Sequence, residues 1–131
     1  MIRAHKASLF GRMREDSILS TATFDGEVTN RPSRYCSVYM SGGLRESERF
    51  TGPSAFADFR ITIHSVGTTI EQAQLVQERV MAQLIDATPA VAGRNPRRIR
   101  HVVSVEVELD TDIDSPLYLA RDVFEWTTAP A

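Results

Sequence analysis

The chain has 131 residues, of which 42% are hydrophobic and 24% charged, with a formal net charge of −2. That length fits one domain of about 100–150 residues, and the composition is that of a folded protein rather than a disordered one. The charge balance gives no reason to expect sequence-independent DNA binding, no run reaches the ~18–20 apolar residues of a membrane span, and a single cysteine, Cys36, excludes an internal disulfide or a multi-cysteine metal cluster.

The opening MIRAHKASLFGRMRED scatters charges and lacks a continuous apolar stretch, so neither export nor membrane anchoring is expected. Within residues 3–20, Ala4, Ala7, Leu9, Phe10, Met13, Ile18 and Leu19 recur at loose helical spacing and predict an N-terminal helix. RYCSVYM, residues 34–40, predicts a strand with Cys36, Val38 and Met40 opposite Tyr35 and Tyr39. From Ser41 to Ser54, glycines and Pro53 flank the charged run RESER, the chemistry of a long hairpin arm or loop. Phe56 to Val66 alternates, with Phe59, Ile61 and Ile63 on one face and Asp58, Arg60, Thr62 and His64 on the other.

Beyond Gly67, either Thr68 with Glu71 or Thr69 with Gln72 can form a capping box, because each partner satisfies an unpaired N–H of a first helical turn. The helix that follows carries Ala73, Val76, Val80 and Leu84 as a buried stripe, with Gln74, Gln77, Glu78 and Arg79 outward. Asp86 to Pro96, with two prolines and a glycine, is a surface connection. Residues 99–109 alternate, with Val103, Val105, Val107 and Leu109 expected inward and Ser104, Glu106 and Glu108 outward. Asp110–Pro116 is a polar turn, and Leu117–Thr127 is a last strand whose phase shifts near Arg121, as a bulge would cause. The expected fold is α+β: a mostly antiparallel sheet of about four strands with two helices packed on one face, in a single domain over 1–131.

Reactive chemistry is sparse. His5, His64 and His101 lie in different elements without the i, i+4 pairing of a two-histidine zinc motif, and a strand-face or interface role is expected for His64 and His101. Cys36 sits in an alternating strand and no G-x-S-x-G elbow occurs, so no catalytic nucleophile is assigned. Asp110, Asp112 and Asp114 lack the glycine and closing glutamate of an EF-hand loop, and Gly42, Gly43 and Gly67 belong to no phosphate-binding motif. No catalytic, cofactor or metal residue is therefore expected. Arg94, Arg97, Arg98 and Arg100 form the main local cationic feature, suited to a solvated loop or to a contact with a neighbouring subunit or passing DNA.

The segment RFTGP followed by FADFRITIHSVGTTIEQAQLVQERVMAQLID, with the later strands RIRHVVSVEVELD and LYLARDVFEWTT, resembles the tail-terminator, or tail-completion, proteins of phages with long non-contractile tails. With the upstream YCSVYMSGG strand the resemblance runs from about Tyr35 to Thr127. It implies a non-enzymatic subunit of the virion tail or neck, assembled in the host cytoplasm. Such a subunit forms a homo-hexameric ring on the head-proximal end of the tail tube, stops tube growth and offers a surface for head-tail joining. The implied partners are the tail tube protein and a connector or stopper protein, with DNA passing through the ring unbound. The longest polar projections are the candidate contacts: Arg45, Glu46, Glu48 and Arg49, whose alternating signs allow pairing between identical neighbours, and Arg94, Arg97 and Arg98. The alternatives are a head-to-tail connector or stopper of the neck, a small α+β enzyme built on a pocket holding His64, His101 and a carboxylate, and a nucleic-acid-binding module.

Overall fold

The computed structural model of the chain describes residues 1–28, 32–44, 56–110 and 117–131. Two helices open it, α1 (Ile2–Met13) and the short α2 (Leu19–Ala22), followed by β1 (Thr23–Asp25) and β2 (Arg34–Leu44). The predicted helix over 3–20 is interrupted because Asp16 Oδ2 accepts the N–H groups of Ile18 and Leu19 at 2.9 and 3.1 Å, which starts a new turn. Arg79 reaches the other oxygen of Asp16 at 3.1 Å. Burial by itself would raise the Asp16 pKa, but these three donors outweigh it and hold the carboxyl below its ordinary value.

Next come β3 (Ala57–Gly67), α3 (Ile70–Leu84), β4 (Arg94–Pro96), β5 (Arg100–Asp110) and β6 (Leu117–Pro130). The sheet runs β1-β2-β3-β6, with β4 and β5 both lying along the far side of β6. Apart from β1, which is parallel to β2, all pairs are antiparallel. The α+β class, the antiparallel sheet and the helices on one face agree with the sequence; the two three-residue strands β1 and β4 extend the expected four. Ser41–Leu44 continue β2 rather than opening a loop, and the rest of that predicted loop, 45–54, lies outside the described residues.

The core sits between the helices and one sheet face. Cys36 and Val38, Ile61 and Ile63, and Phe124 and Trp126 form its floor, and Leu9, Met13, Val76, Val80 and Leu84 its roof, each at most 1% exposed. At about 1.5–3 kcal/mol for each large apolar side chain removed from water, this layer dominates stability. The cap of α3 is Thr69, whose hydroxyl accepts the Gln72 N–H at 3.1 Å, while the Gln72 carboxamide reaches back to the Thr68 N–H. A smaller cluster lies near the Gly67 end: Tyr35, on the row opposite Cys36 as expected, is nonetheless buried with Val66 and Leu117 under Phe24 and Val28.

The last hairpin corrects two expectations. β5 forms where predicted, but Val103 and Leu109 are 42% and 50% exposed rather than inward, and Val105 and Val107 are half-buried. It is the sheet edge, and two register shifts, between His101 and Val103 and between Val105 and Glu108, break its alternation. The phase change read at Arg121 has the same origin: β6 itself pairs without interruption against β3, and the irregularity lies in β5 opposite that point. The intervening polar turn, 111–116, lies outside the described residues.

Candidate functional site

Antiparallel register places charges in rows on the sheet face away from the helices. Ser41 pairs with Arg60, Arg60 with Glu125, and Glu125 with Arg100, so one row crosses four strands. Beside it Asp58 pairs with Thr127, whose hydroxyl donates to Asp58 Oδ1 at 2.6 Å. The next part of the rim is built by the step from β4 to β5. The Arg97 N–H donates to Thr127 O, after which Ile99 leaves the sheet and is fully buried, its N–H on Ala87 O and its carbonyl accepting from Asp86 N. Anchoring Ile99 inward leaves Arg97 and Arg98 on the surface.

Together these residues line an open groove of about 560 Å³ at the Ala57 end of β3, with four arginines (60, 97, 98 and 100) against two carboxylates, Asp58 and Glu125. Arg100 pairs with Glu125 at 3.2 Å, Arg97 stacks over the Phe56 ring at 5.1 Å, and Arg98 stands 4.0 Å from Asp86 with most of its side chain exposed. Exposed pairs of this kind contribute at most about 1 kcal/mol to folding, so the arginines remain available to another surface. The groove is chemically suited to an anionic, extended or loop segment.

The sequence-derived contact residues divide. Arg45, Glu46, Glu48 and Arg49 lie outside the described residues. Arg97 and Arg98 line the groove. Arg94 instead braces the interior: its guanidinium donates to Thr128 Oγ1 at 3.2 Å and to Thr128 O at 2.8 Å. Thr128 Oγ1 in turn lies 2.8 Å from Nε2 of the fully buried His5, whose Nδ1 is 2.8 Å from Met1 O. The chain of donors runs from Arg94 through the Thr128 hydroxyl into a neutral His5 that donates to Met1 O. Burial pushes the His5 pKa down, outweighing the Met1 hydrogen bond, and Arg94 adds to the depression.

Sequence reading missed the partners of the arginines. Asp58 and Arg60 were on the predicted polar face of β3, but their alignment with Glu125 and Arg100 depends on pairing between strands far apart in sequence, which periodicity does not encode. It also missed Asp122. This carboxylate is fully buried and accepts from Gln77 Nε2 and from His101 Nε2, both at 2.9 Å, tying α3 to the edge strand. Gln77, expected on the outer arc, turns toward the sheet for this reason. His64 pairs with Arg121, one residue out of phase with Asp122, and stacks on Tyr39 at 5.1 Å. The two histidines therefore occupy opposite sheet faces and share no pocket. Among the described residues no three His, Cys, Asp or Glu side chains are grouped as metal ligands would be, and no helix is long and apolar enough to cross a membrane.

No protein-family model and no curated protein sequence matches the chain. Solved structures do match. The fold is similar to that of a chain in the virion of a native gene transfer agent particle, with a TM-score of 0.68 and 15% identity over 94% of this chain and 92% of that one. A second solved structure, whose name describes no activity, gives a TM-score of 0.71 and 12% identity over 100% of this chain and 97% of its own. At these identities the likeness is one of fold. It extends over nearly the full length of both chains in each comparison.

Proposed function

We propose that the chain is a non-enzymatic structural subunit of a phage-like virion, and specifically a tail terminator. In this reading copies close into a homo-hexameric ring on the head-proximal end of the tail tube, stop addition of tube protein and present a surface to a connector or stopper protein, while DNA passes without specific binding. The observation that carries it is the end-to-end fold likeness to a chain of a gene transfer agent virion. The strand-glycine-helix segment around IHSVGTT, which resembles terminator proteins, supports the finer assignment. A ring cap requires a rigid unit with two different surfaces that meet head to tail, and no active site. The arginine groove and the exposed β5 edge are two such surfaces.

Deleting the gene from its phage or particle-producing cell and imaging the particles by electron microscopy tests this directly. Overlong or uncontrolled tails detached from heads are expected. Tails of normal length beside separate or leaking heads would assign the chain to the connector instead, and particles unchanged in both respects would remove it from the tail and neck.

A further inference from the structure

The charge of this molecule is segregated along its edge strand. At one end β5 begins beside the arginine groove, where four arginines face two carboxylates, and Glu125 is already engaged by Arg100. At the other end Glu106 and Glu108 are both exposed, and the sequence from 106 to 114 carries five acidic residues and no basic one. Arg121, paired across the strand with Val105, is exposed, and among the described residues no ion pair joins it to Glu106 or Glu108. Arg100 and Glu108 are separated by roughly 25 Å of extended chain, more than twice the ~8–10 Å over which charges attract in physiological salt. The two ends cannot satisfy each other within one copy.

Apolar surface accompanies the charge. Val102, Val103 and Leu109 on the same edge are 44%, 42% and 50% exposed, and among the described residues β5 pairs with β6 on one side and with nothing on the other. An uncovered strand edge bearing apolar side chains is ordinarily protected or used. Its charges here would repel an identical acidic end and attract a basic one.

We infer that the acidic end of β5, through Glu106 and Glu108, docks into the Arg60–Arg97–Arg98 groove of a second copy of this chain, with the exposed edge valines and Leu109 packed at the centre of the contact. Because the groove lies on the sheet face and the acidic end on the edge strand, donor and acceptor are different surfaces. The contact is heterologous and repeats from copy to copy until the rotation closes. This rests on the ring reading above and names the two surfaces that make the ring.

Charge exchange tests it. Glu106→Lys with Glu108→Lys reverses one surface, and Arg97→Glu with Arg98→Glu reverses the other; all four side chains are exposed, so thermal unfolding of each variant should match wild type. By sedimentation velocity and native mass spectrometry each variant alone should self-associate on the order of tenfold more weakly or worse. Mixing the two variants should restore assembly, since each reversed surface meets a complementary one, and all four substitutions in one chain should do the same. Variants that assemble like wild type, or mixtures that do not recover, overturn the docking. So does a restored complex that stops at two copies, which would mean a self-complementary pair. If the arginine variant instead loses retention of duplex DNA while self-association is unchanged, the groove serves nucleic acid and the inference fails. A wild-type chain that never self-associates also overturns it, whereas the tail-length phenotype separately decides the terminator reading.

Discussion

His5 and Cys36 show how burial sets the chemistry of single side chains here. Both are fully buried, and in both the uncharged form is favoured because no water remains to solvate a charge. His5 has its pKa pushed below 6.5 by burial, and His64 is lowered by burial and by Arg121. A histidine whose folded pKa is depressed leaves stability intact above its unfolded pKa and removes it as pH falls from about 6.5 toward the folded value, by up to about 1.4 kcal/mol per pH unit for each such group. Urea unfolding at a series of pH values from 8 down to 5 should therefore give falling midpoints below about pH 6.5. The decline should be shallower in His5→Gln, whose amide can still donate and accept; equal slopes in the two proteins would show that His5 is not the group responsible. Cys36 is pushed up to about 11, by burial first and against the Thr23 hydrogen bond. Its thiol should resist iodoacetamide in the native protein and react at once in denaturant, as read by mass spectrometry. That Cys36 shares a strand face with Val38, opposite Tyr35, was legible from alternation. The burial of His5 was not, because its partner Thr128 lies at the other end of the chain.

At the scale of elements, local signals were read best where one chain segment settles its own structure. The stripe Ala73, Val76, Val80 and Leu84 is fully buried, the Thr69 cap falls at one of the two predicted places, and β3 buries Phe59, Ile61 and Ile63 as its alternation required. The junction between these elements turns on Gly67. A Cβ there would stand 2.6 Å from Ala73 N and 2.7 Å from Gln72 Cβ, too close for either to remain in place. Gly67→Ala should cost about 1–3 kcal/mol of unfolding free energy by overpacking. Gly11, in α1, has nothing within 4 Å of the same position. Gly11→Ala should instead stabilise by about 0.5–1 kcal/mol through helix propensity and reduced freedom of the unfolded chain. Denaturant melts of the pair should move in opposite directions; a shared direction would mean that the strand-to-helix junction is not as tight as its geometry indicates.

For the molecule as a whole, the α+β class followed from hairpin-linked strands around one amphipathic helix, whereas what lies at the sheet edge depended on long-range pairing. β5 illustrates the gap: its valines spelled a strand, yet alternation cannot say whether a helix reaches far enough to cover it. Ser104 faces α3, where Gln77 reaches both it and Asp122 of β6, whereas Val103 pairs with Val123 on the face away from the helices, and both Val103 and Leu109 stay open. In a core, truncating such residues would cost about 2–5 kcal/mol. On an uncovered edge the same change should stay within about 0.5 kcal/mol. Val103→Ser and Leu109→Ser should accordingly leave the unfolding midpoint of the isolated chain nearly unchanged while weakening its association with further copies, the two effects separated by comparing urea unfolding at low protein concentration with sedimentation at high concentration. A large loss of monomer stability would place these side chains in an interior, and the edge of the sheet would then have no apolar surface to offer a neighbour.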